Sequence, residues 1–188
     1  MIHCPNCGEE NPPKFRLCGY CGTPLAPAAA APQAREVRRT VTIVFSDLKG
    51  STALGELLDA EALHEVKARY FDAMAAEIAR HGGKIEKYVG DAIMAVFGLP
   101  RAHEDDALRA VRAAAGMQAA LRRVNQGLLR RYGVELANRT GVNTGEVITG
   151  DSASAQRLVT GDAVNVAARL EQAAGLNETL LGELTWTL

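Results

Sequence analysis

The chain has 188 residues, enough for one full-sized domain and a small appendage, and 47% of them are hydrophobic. This composition excludes a disordered tail, and the formal net charge of −1, with both signs scattered, offers no nucleic-acid footprint and no acidic binding surface. No apolar run approaches the ~20 residues of a membrane helix, and the first residues lack the charged and apolar regions of a signal peptide. We therefore expect a cytoplasmic protein that does not enter a membrane.

Residues 1–23 are predicted to form a small metal-binding domain, because they contain all four cysteines of the chain. The cysteines form two Cys-x2-Cys pairs with ten residues between them: Cys4, Cys7, Cys18 and Cys21. Each pair can bend back to offer two thiolates to one ion, as in tetrahedral Cys4 zinc coordination, whereas two disulfides are disfavoured in the cytosol. The segment resembles a zinc ribbon, in which Zn²⁺ is structural and its binding supplies most of the folding free energy.

Residues 24–39 are predicted to be a linker. The stretch 24–34 contains three prolines and six alanines and has no periodic apolar face. Its prolines favour a semi-extended spacer of about 3 Å per residue over a collapsed coil. We therefore expect the ribbon to be tethered to the rest of the chain without a required docking surface.

The third predicted domain, residues 40–188, opens with an apolar strand from about Thr40 to Ser46, which ends at Asp47. A turn with Gly50 follows, and the two hydroxyl residues after it are suited to start a helix. A carboxylate at the end of a buried strand, followed by backbone N–H groups that point one way, suits a divalent cation carrying phosphates. Alone, Asp47 is more often the cap of its turn, so the hypothesis needs a second carboxylate.

The second carboxylate is Asp91, at the tip of a predicted hairpin whose strands are residues 84–89 and 92–97. If the first strand lies beside this hairpin, Asp47 and Asp91 converge. Two carboxylates ~4 Å apart repel by about 4 kcal/mol at an effective dielectric constant of about 20. A divalent cation removes this repulsion, and a small set of oxygen ligands favours Mg²⁺ or Mn²⁺ over zinc.

Helices are predicted on both sides of the hairpin in the chain. The first is capped by Asp59 and ends at the glycines 82–83. Its apolar stripe consists of Leu63, Val66, Tyr70, Met74 and Ile78. The second opens at residues 104–106 and reaches about Tyr132. Its predicted buried side consists of Leu108, Val111, Ala115, Val124 and Leu128.

Strands at 134–143 and 146–149, joined by a turn at Thr144-Gly145, are predicted next. A short strand at 158–160 then precedes a last helix, which holds a polar pair four residues apart on its outer side. The order βαββαβ, followed by another strand, predicts an α+β fold: a ferredoxin-like sandwich with helices on one face of an antiparallel sheet.

Four segments of residues 40–188 carry a resemblance to a known family, in the family's order and spacing: FSDLKGST, KIEKYVGDAIMAVFG, RTGVNTGEV and TGDAVNVAARLE. They resemble the class III adenylyl/guanylyl cyclase homology domain. The resemblance implies the class III nucleotidyl cyclase fold and cyclisation of a nucleoside triphosphate, ATP or GTP, to the 3′,5′-cyclic nucleotide and pyrophosphate. It also implies two Mg²⁺ or Mn²⁺ ions per active site and a homodimer whose protomers share their active sites.

The resemblance also implies a role for each matching residue. Asp47 and Asp91 would hold both metals, assisted by the carbonyl of Leu48. The phosphates would be bound by Lys49, Gly50, Ser51 and Arg139. The other protomer would supply a base-reading, a ribose-orienting and a transition-state residue, which are Lys87, Asn165 and Arg169 respectively.

Two departures from the family pattern qualify this assignment. Leu158 stands at the base-selecting position, where the family usually has Asp or Thr, so the preference between ATP and GTP stays open. The sequence also stops before the last strands expected of the family, so we expect residues 40–188 to lack them.

Two further functional classes were weighed against a dimeric cyclase. One is a catalytically weak or inactive nucleotide-binding regulatory module of the same fold, but each metal and transition-state position is filled. The other is a zinc ribbon that binds nucleic acid. Its basic residues Lys14 and Arg16 are offset by Glu9 and Glu10, so the ribbon offers too few cations for contacts with phosphates. We expect the cyclase, with a regulatory partner for the ribbon.

Overall fold

The computed structural model describes residues 1–25, 36–150 and 159–188. Most of the predicted linker and the whole of Leu158 therefore lie outside the described residues. The chain divides into two compact units, residues 1–35 and residues 36–188. None of the described helices combines the length and the hydropathy that crossing a bilayer requires.

The first unit is a minimal fold with one two-stranded antiparallel sheet. Its strands are β1 (Ile2–His3) and β2 (Glu10–Asn11). Its buried apolar residues are Cys4, Cys18 and Leu25, with Ile2 packed against them. So small a core cannot stabilise a fold by burial of apolar surface alone, so this unit depends on a further source of stability.

The second unit is an α+β structure built on a six-stranded sheet with the order β4-β5-β3-β6-β7, in which β8 also pairs with β6. All pairs are antiparallel except β6 with β8. The predicted antiparallel sheet with helices is thus confirmed. Its elements are β3 (Glu36–Lys49), α1 (Ser51–Leu57), α2 (Ala60–Arg80), β4 (Lys84–Val89), β5 (Ala92–Phe97), α3 (Asp106–Tyr132), β6 (Ala137–Gly150), β7 (Val159–Thr160), α4 (Asp162–Ala173), β8 (Thr179–Leu181) and α5 (Glu183–Thr187).

Helices cover both faces of this sheet, where one face was predicted. On the first face α2 and α3 pack over residues such as Val44, and the predicted stripe of α2 is buried there except for the half-buried Leu63. On the second face Ala163 and Ala167 of α4 pack over Ile43 and its neighbours. The alternation of side chains along β3 separates these two cores, because successive residues point to opposite faces.

The strand that carries Asp47 is longer than predicted. It runs from Glu36 to Lys49, so Asp47 lies within β3, paired with Ala92 of β5 on one side and with Arg139 of β6 on the other. Both neighbouring strands supply ladder partners beyond the apolar stretch, which is why pairing continues through the charged residues. Asp47 is therefore fixed by a sheet on two sides instead of by a turn.

The predicted pair of strands around Gly145 is wrong, because residues 137–150 form the single strand β6. A Cβ added at Gly145 would lie 2.8 Å from the Cβ of Ala163, and one at Gly141 would lie 2.2 Å from the carbonyl oxygen of Ala167. These glycines therefore allow α4 to lie directly against the strand. Gly145 correctly indicated a position where a side chain does not fit, but the turn predicted from it is wrong.

The predicted buried side of α3 is also wrong in part. Leu108 is 45% exposed, and Ala115 is exposed as well. The face that packs against α2 and the sheet consists of small residues with a few larger ones: Ala107, Ala110, Ala113, Ala114, Met117, Ala120, Leu121 and Leu128. Alanines let helices approach closely and therefore form much of the buried face of α3. The predicted face followed the larger apolar side chains and is rotated around the helix axis from the observed one.

Candidate functional site

The four cysteines of the first unit form one cluster of free thiols. The Sγ atoms of Cys4 and Cys21 are 3.5 Å apart, those of Cys7 and Cys18 are 3.6 Å apart, and all four lie within 4.8 Å of one another. Four sulfurs bound tetrahedrally at ~2.3 Å from one zinc ion would be about 3.8 Å apart. The cluster therefore fits a single Zn²⁺.

Local sequence builds this cluster from two similar turns. Each second cysteine is followed by a glycine with positive φ, Gly8 at 77° and Gly22 at 71°. The N–H groups of these glycines donate to the carbonyls of Cys4 and Cys18, both at 2.9 Å. Because positive φ is easily reached only without a Cβ, the glycines let each pair of thiols turn toward the same point.

Asn11 supports the cluster from beneath and was not anticipated from the sequence. It is 1% exposed, its Nδ2 donates to Cys18 Sγ at 3.5 Å, and its Oδ1 accepts from the N–H of Gly19. At the exposed end, hydrogen bonds from the hydroxyl and N–H of Thr23 lower the pKa of Cys21 to about 6. Both contacts favour thiolates, the form that binds metal.

In the second unit the register of β3 and β5 brings Asp47 next to the turn that holds Asp91, the residue before β5. The N–H of Leu48 donates to the carbonyl of Asp91 at 3.2 Å, next to the pair of Asp47 with Ala92. Burial raises the pKa of Tyr70 to about 12, and the charges of Asp47 and Asp91 both add to this rise. The two carboxylates therefore act on the same buried phenol at one end of the sheet.

Each carboxylate is paired with a lysine. Lys49 Nζ contacts Asp47 Oδ2, and Lys67 Nζ, from α2, lies 2.9 and 3.1 Å from the two carboxylate oxygens of Asp91. Burial raises the pKa of Asp91, but hydrogen bonds from Ser51 and Lys67 outweigh it and hold that pKa below its usual value. Carboxylate oxygens are the ligands that Mg²⁺ and Mn²⁺ prefer, so Asp47 and Asp91 together form a donor set that fits either ion.

Glu171 of α4 links the predicted phosphate-binding residues. It is 4% exposed, and its Oε1 lies 3.3 Å from Lys49 Nζ and 3.2 Å from Arg139 Nε. The charges are in contact, but Arg139 Nε and Glu171 Oε1 are not aligned as a hydrogen bond. Arg139 also donates from Nη1 to the carbonyl of Gln172 at 3.2 Å. Lys49, Arg139 and Glu171 thus form one network beside Asp47.

Glu171 and Lys67 were not anticipated, although the sequence carried a signal for one of them. Glu171 follows Ala163 and Ala167 at intervals of four residues, so it lies on the buried face of α4. Lys67 follows the buried Val66 on α2, and its contact with Asp91 depends on the packing of α2 against the hairpin, which no local pattern encodes.

The other predicted site residues take three different positions. Lys87 on β4 and Asn165 and Arg169 on α4 are exposed, and the ion pairs of Asp47 and Asp91 among the described residues are with Lys49 and Lys67 instead. Gly50, with φ of 80°, precedes α1, which begins at Ser51. Leu158 lies outside the described residues, so nothing further is assigned to its position.

The chain is similar to proteins of known class over both units. The model of the adenylate and guanylate cyclase catalytic domain matches residues 34–187, and that of a zinc-ribbon domain matches residues 3–25. Adenylate cyclase 1 of Rhizobium meliloti is 31% identical over 144 residues, 75% of this chain and 21% of that protein. The chain spans 21% to 28% of the length of the first curated relatives it matches.

Two crystal structures show the same fold. The adenylyl cyclase CyaB of P. aeruginosa is 33% identical with a TM-score of 0.76, and the match covers 81% of each chain. The guanylyl cyclase Cya2 is 38% identical with a TM-score of 0.75, and the match covers 81% of this chain and 79% of that one. Both similarities extend over most of the second unit.

Proposed function

Because the chain belongs to the adenylate and guanylate cyclase catalytic domain family, we propose that it converts ATP or GTP to the 3′,5′-cyclic nucleotide and pyrophosphate. The observation that carries this proposal is the placement of Asp47, on β3, beside the β4–β5 turn that holds Asp91, with a lysine in contact with each carboxylate. The product would serve intracellular signalling in the cytoplasm, where nucleoside triphosphates are made and where free thiols persist.

In the proposed reaction Asp47, Asp91 and the Leu48 carbonyl would hold two Mg²⁺ or Mn²⁺ ions. When bound there, the metals supply Lewis-acid activation of the ribose 3′-hydroxyl and neutralise charge on the triphosphate. Lys49 and Arg139, which Glu171 brings to one place, bind phosphate oxygens by charge-assisted hydrogen bonds.

Backbone N–H groups complete the proposed phosphate site. Gly50 and Ser51 form the entrance to α1, next to the end of β3 that carries Lys49. The left-handed conformation of Gly50 lets the chain leave the sheet at once, so that phosphates can approach the backbone closely. These residues position the triphosphate, and the 3′-hydroxyl then attacks the α-phosphorus in line.

A second copy of the chain would complete each active site. Asn165 and Arg169 are exposed on α4, on the side away from Glu171, and Lys87 is exposed on β4. This exposure supports a homodimer in which they act on the partner's nucleotide, where Asn165 orients the ribose, Lys87 contacts the base and Arg169 stabilises charge that develops at the phosphorus. The geometry of the four cysteines supports a structural Zn²⁺ in the ribbon, and its regulatory partner stays a prediction.

The deciding experiment is a turnover assay of the purified chain with Mn²⁺, with ATP and GTP offered in parallel. We expect one or both to yield the cyclic nucleotide, and we expect Asp91→Asn to lower turnover by about 10²- to 10³-fold without unfolding the second unit. Absence of product with both substrates, together with tight nucleotide binding, would favour the non-catalytic regulatory module, for which Leu158 at the base-selecting position is the supporting observation.

Complementation between two inactive variants tests the shared site. A mixture of Asp47→Ala chains with Arg169→Ala chains leaves one site of each mixed dimer intact, so part of the activity should return. Each variant alone serves as the control. No return of activity, at concentrations where the wild-type chain is dimeric, would contradict catalysis between protomers.

A further inference from the structure

Lys67 makes an unusually complete contact with Asp91. Its Nζ lies 2.9 Å from one carboxylate oxygen and 3.1 Å from the other, so a single ammonium hydrogen-bonds both. The two side chains are 30% and 27% exposed, so the pair is partly shielded from water. Neither the helical stripe of α2 nor the resemblance to the cyclase family gives Lys67 a role.

The position of Lys67 is fixed by the packing of α2. Val66 precedes it and Tyr70 follows it by about one turn, and both are 0% exposed in the core beneath the sheet. Asp91 is equally fixed, because it lies between Gly90, with φ of 60°, and the first residue of the buried strand β5. Two rigid elements therefore hold the ammonium against the carboxylate.

This contact uses the atoms that a metal would need. A divalent cation bound to Asp91 lies ~2.0–2.6 Å from its oxygens, so it cannot share both oxygens with an ammonium at hydrogen-bond distance. Lys67 must release at least one oxygen before a metal is bound. Until then its positive charge offsets the repulsion between Asp91 and the nearby Asp47.

Lys49 does not have the same simple relation to its carboxylate. It contacts Asp47 and also Glu171, whose other partner is Arg139. Removal of Lys49 would therefore disturb the phosphate-binding network as well as the carboxylate. Lys67 contacts a single carboxylate among the ion pairs of the described residues, and its flexible four-carbon stem can withdraw toward water.

We propose that Lys67 is an internal counter-ion of the metal site, which holds Asp91 in the metal-free protein and sets the affinity for Mn²⁺ or Mg²⁺ by competing for the same carboxylate. This inference rests on the proposed function, in which Asp91 is a metal ligand. Lys67 is thus a positioning residue, and it weakens metal binding while it stabilises the empty site.

The test is Mn²⁺ binding to the zinc-loaded full chain, measured from the electron paramagnetic resonance signal of free Mn²⁺ in the absence of nucleotide. Lys67→Met should bind Mn²⁺ about three- to fivefold more tightly, as expected for loss of a competing, partly exposed ion pair. Lys67→Arg keeps the counter-ion and should bind no more tightly than the wild type. Lys84→Met, at an exposed lysine of β4, is the matched control and should leave the affinity unchanged.

A second measurement separates competition from a purely structural role. In the presence of a chelator that spares the zinc site, the second unit of Lys67→Met should unfold at a lower temperature than that of the wild type. Saturating Mn²⁺ should then raise the unfolding temperature of Lys67→Met more than that of the wild type. If the role of Lys67 were purely structural, Lys67→Met would lower the unfolding temperature equally with and without Mn²⁺ and would leave the Mn²⁺ affinity unchanged. Lys67→Gln, which stays polar, provides the same comparison if the methionine variant does not fold.

The outcomes distinguish this inference from the proposed function. Equal or weaker Mn²⁺ binding by the neutral Lys67 variants, with measurable binding by the wild type, would overturn the counter-ion role alone. No Mn²⁺ binding by the wild type, or equal binding by Asp91→Asn, would instead remove Asp91 as a metal ligand and with it the proposed function.

Discussion

The two units of this chain prepare for a metal in opposite ways. In the ribbon four sulfurs lie within 4.8 Å of one another, and the buried core around them consists of two of those cysteines and Leu25. In the second unit a six-stranded sheet with two apolar cores fixes Asp47 and Asp91, and lysines neutralise both carboxylates. If both sites bind the proposed metals, the zinc is part of its unit's fold, whereas Mg²⁺ or Mn²⁺ is a cofactor that binds to a fold already formed.

The largest expected effect is loss of zinc from the ribbon. Structural zinc contributes on the order of 10 kcal/mol to folding of such small units, so Cys18→Ser should unfold residues 1–25. Two-dimensional NMR should show collapse of the ribbon's amide dispersion, while the signals of residues 36–188 stay dispersed. Retained amide dispersion of the ribbon in the absence of zinc would show that this unit does not need the metal to fold.

The next largest effect is expected for Asp91→Asn, which should reduce activity strongly and leave the fold intact. Asp91→Asn removes a charged ligand but keeps the volume, and loss of such electrostatic stabilisation commonly costs about 10²- to 10³-fold in kcat. The thermal transition of the second unit should move little. Glu183→Gln, at an exposed carboxylate of α5, is the matched control and should keep its activity.

The dependence of the second site on its fold can be tested at Gly141. A Cβ there would lie 2.2 Å from the carbonyl of Ala167 and 2.5 Å from the N–H nitrogen of Glu171, so α4 must move. We expect Gly141→Ala to lower the free energy of unfolding by about 1–3 kcal/mol, measured by urea denaturation, and to reduce turnover further than stability predicts. Gly127→Ala on α3, where a Cβ meets nothing within 4 Å, should be neutral or stabilising.

A smaller effect is expected at Glu171. Glu171→Gln keeps the shape but removes the charge that holds Lys49 and Arg139 together, so the triphosphate should bind to a less ordered pair of cations. We expect KM for the nucleotide to rise about three- to tenfold with a smaller change in kcat. An unchanged KM would show that the sheet alone positions both cations.

The smallest effect is on the pH dependence of stability without Mn²⁺ or Mg²⁺. The pKa of Asp91 is lowered in the folded state, so its pairing stabilises the fold above the unfolded pKa of about 4 and is lost as pH falls through the lower folded value. Calorimetry from pH 6 down should show a steeper loss for the wild type than for Asp91→Asn. Parallel curves would place the stabilising charge elsewhere.

Local signals predicted the elements that carry the site. The strands at 84–89 and 92–97 and the helix cap at Asp59 agree with the structure, as do the paired cysteines. Each depends on a few neighbouring residues, whose turn, capping or ligand chemistry is visible in the sequence alone. The proximity of Asp47 to the turn that holds Asp91 follows from the pairing of β3 with β5.

The remaining features depend on residues far apart in the chain. Gly145 signalled a special backbone position, but only the approach of Ala163 shows that the position serves packing instead of a turn. Lys67 and Glu171 gain their partners from the way α2 and α4 lie on the sheet. Long-range register of this kind leaves no periodicity of its own, so such contacts could not be read from the sequence.

The close packing of α4 against β6 has a mechanical consequence. At Gly141 and Gly145 the backbone of β6 lies directly against α4, and between them Asn143 donates from Nδ2 to the carbonyl of Ala163 at 3.1 Å, so little space is left for a small displacement. Glu171 contacts Lys49 and Arg139, whereas Arg169 is exposed on the other side of the same short helix. If Arg169 acts in the active site of a second copy, as proposed, a movement of α4 caused at one site would also move a side chain of the other, because one helix carries both Glu171 and Arg169.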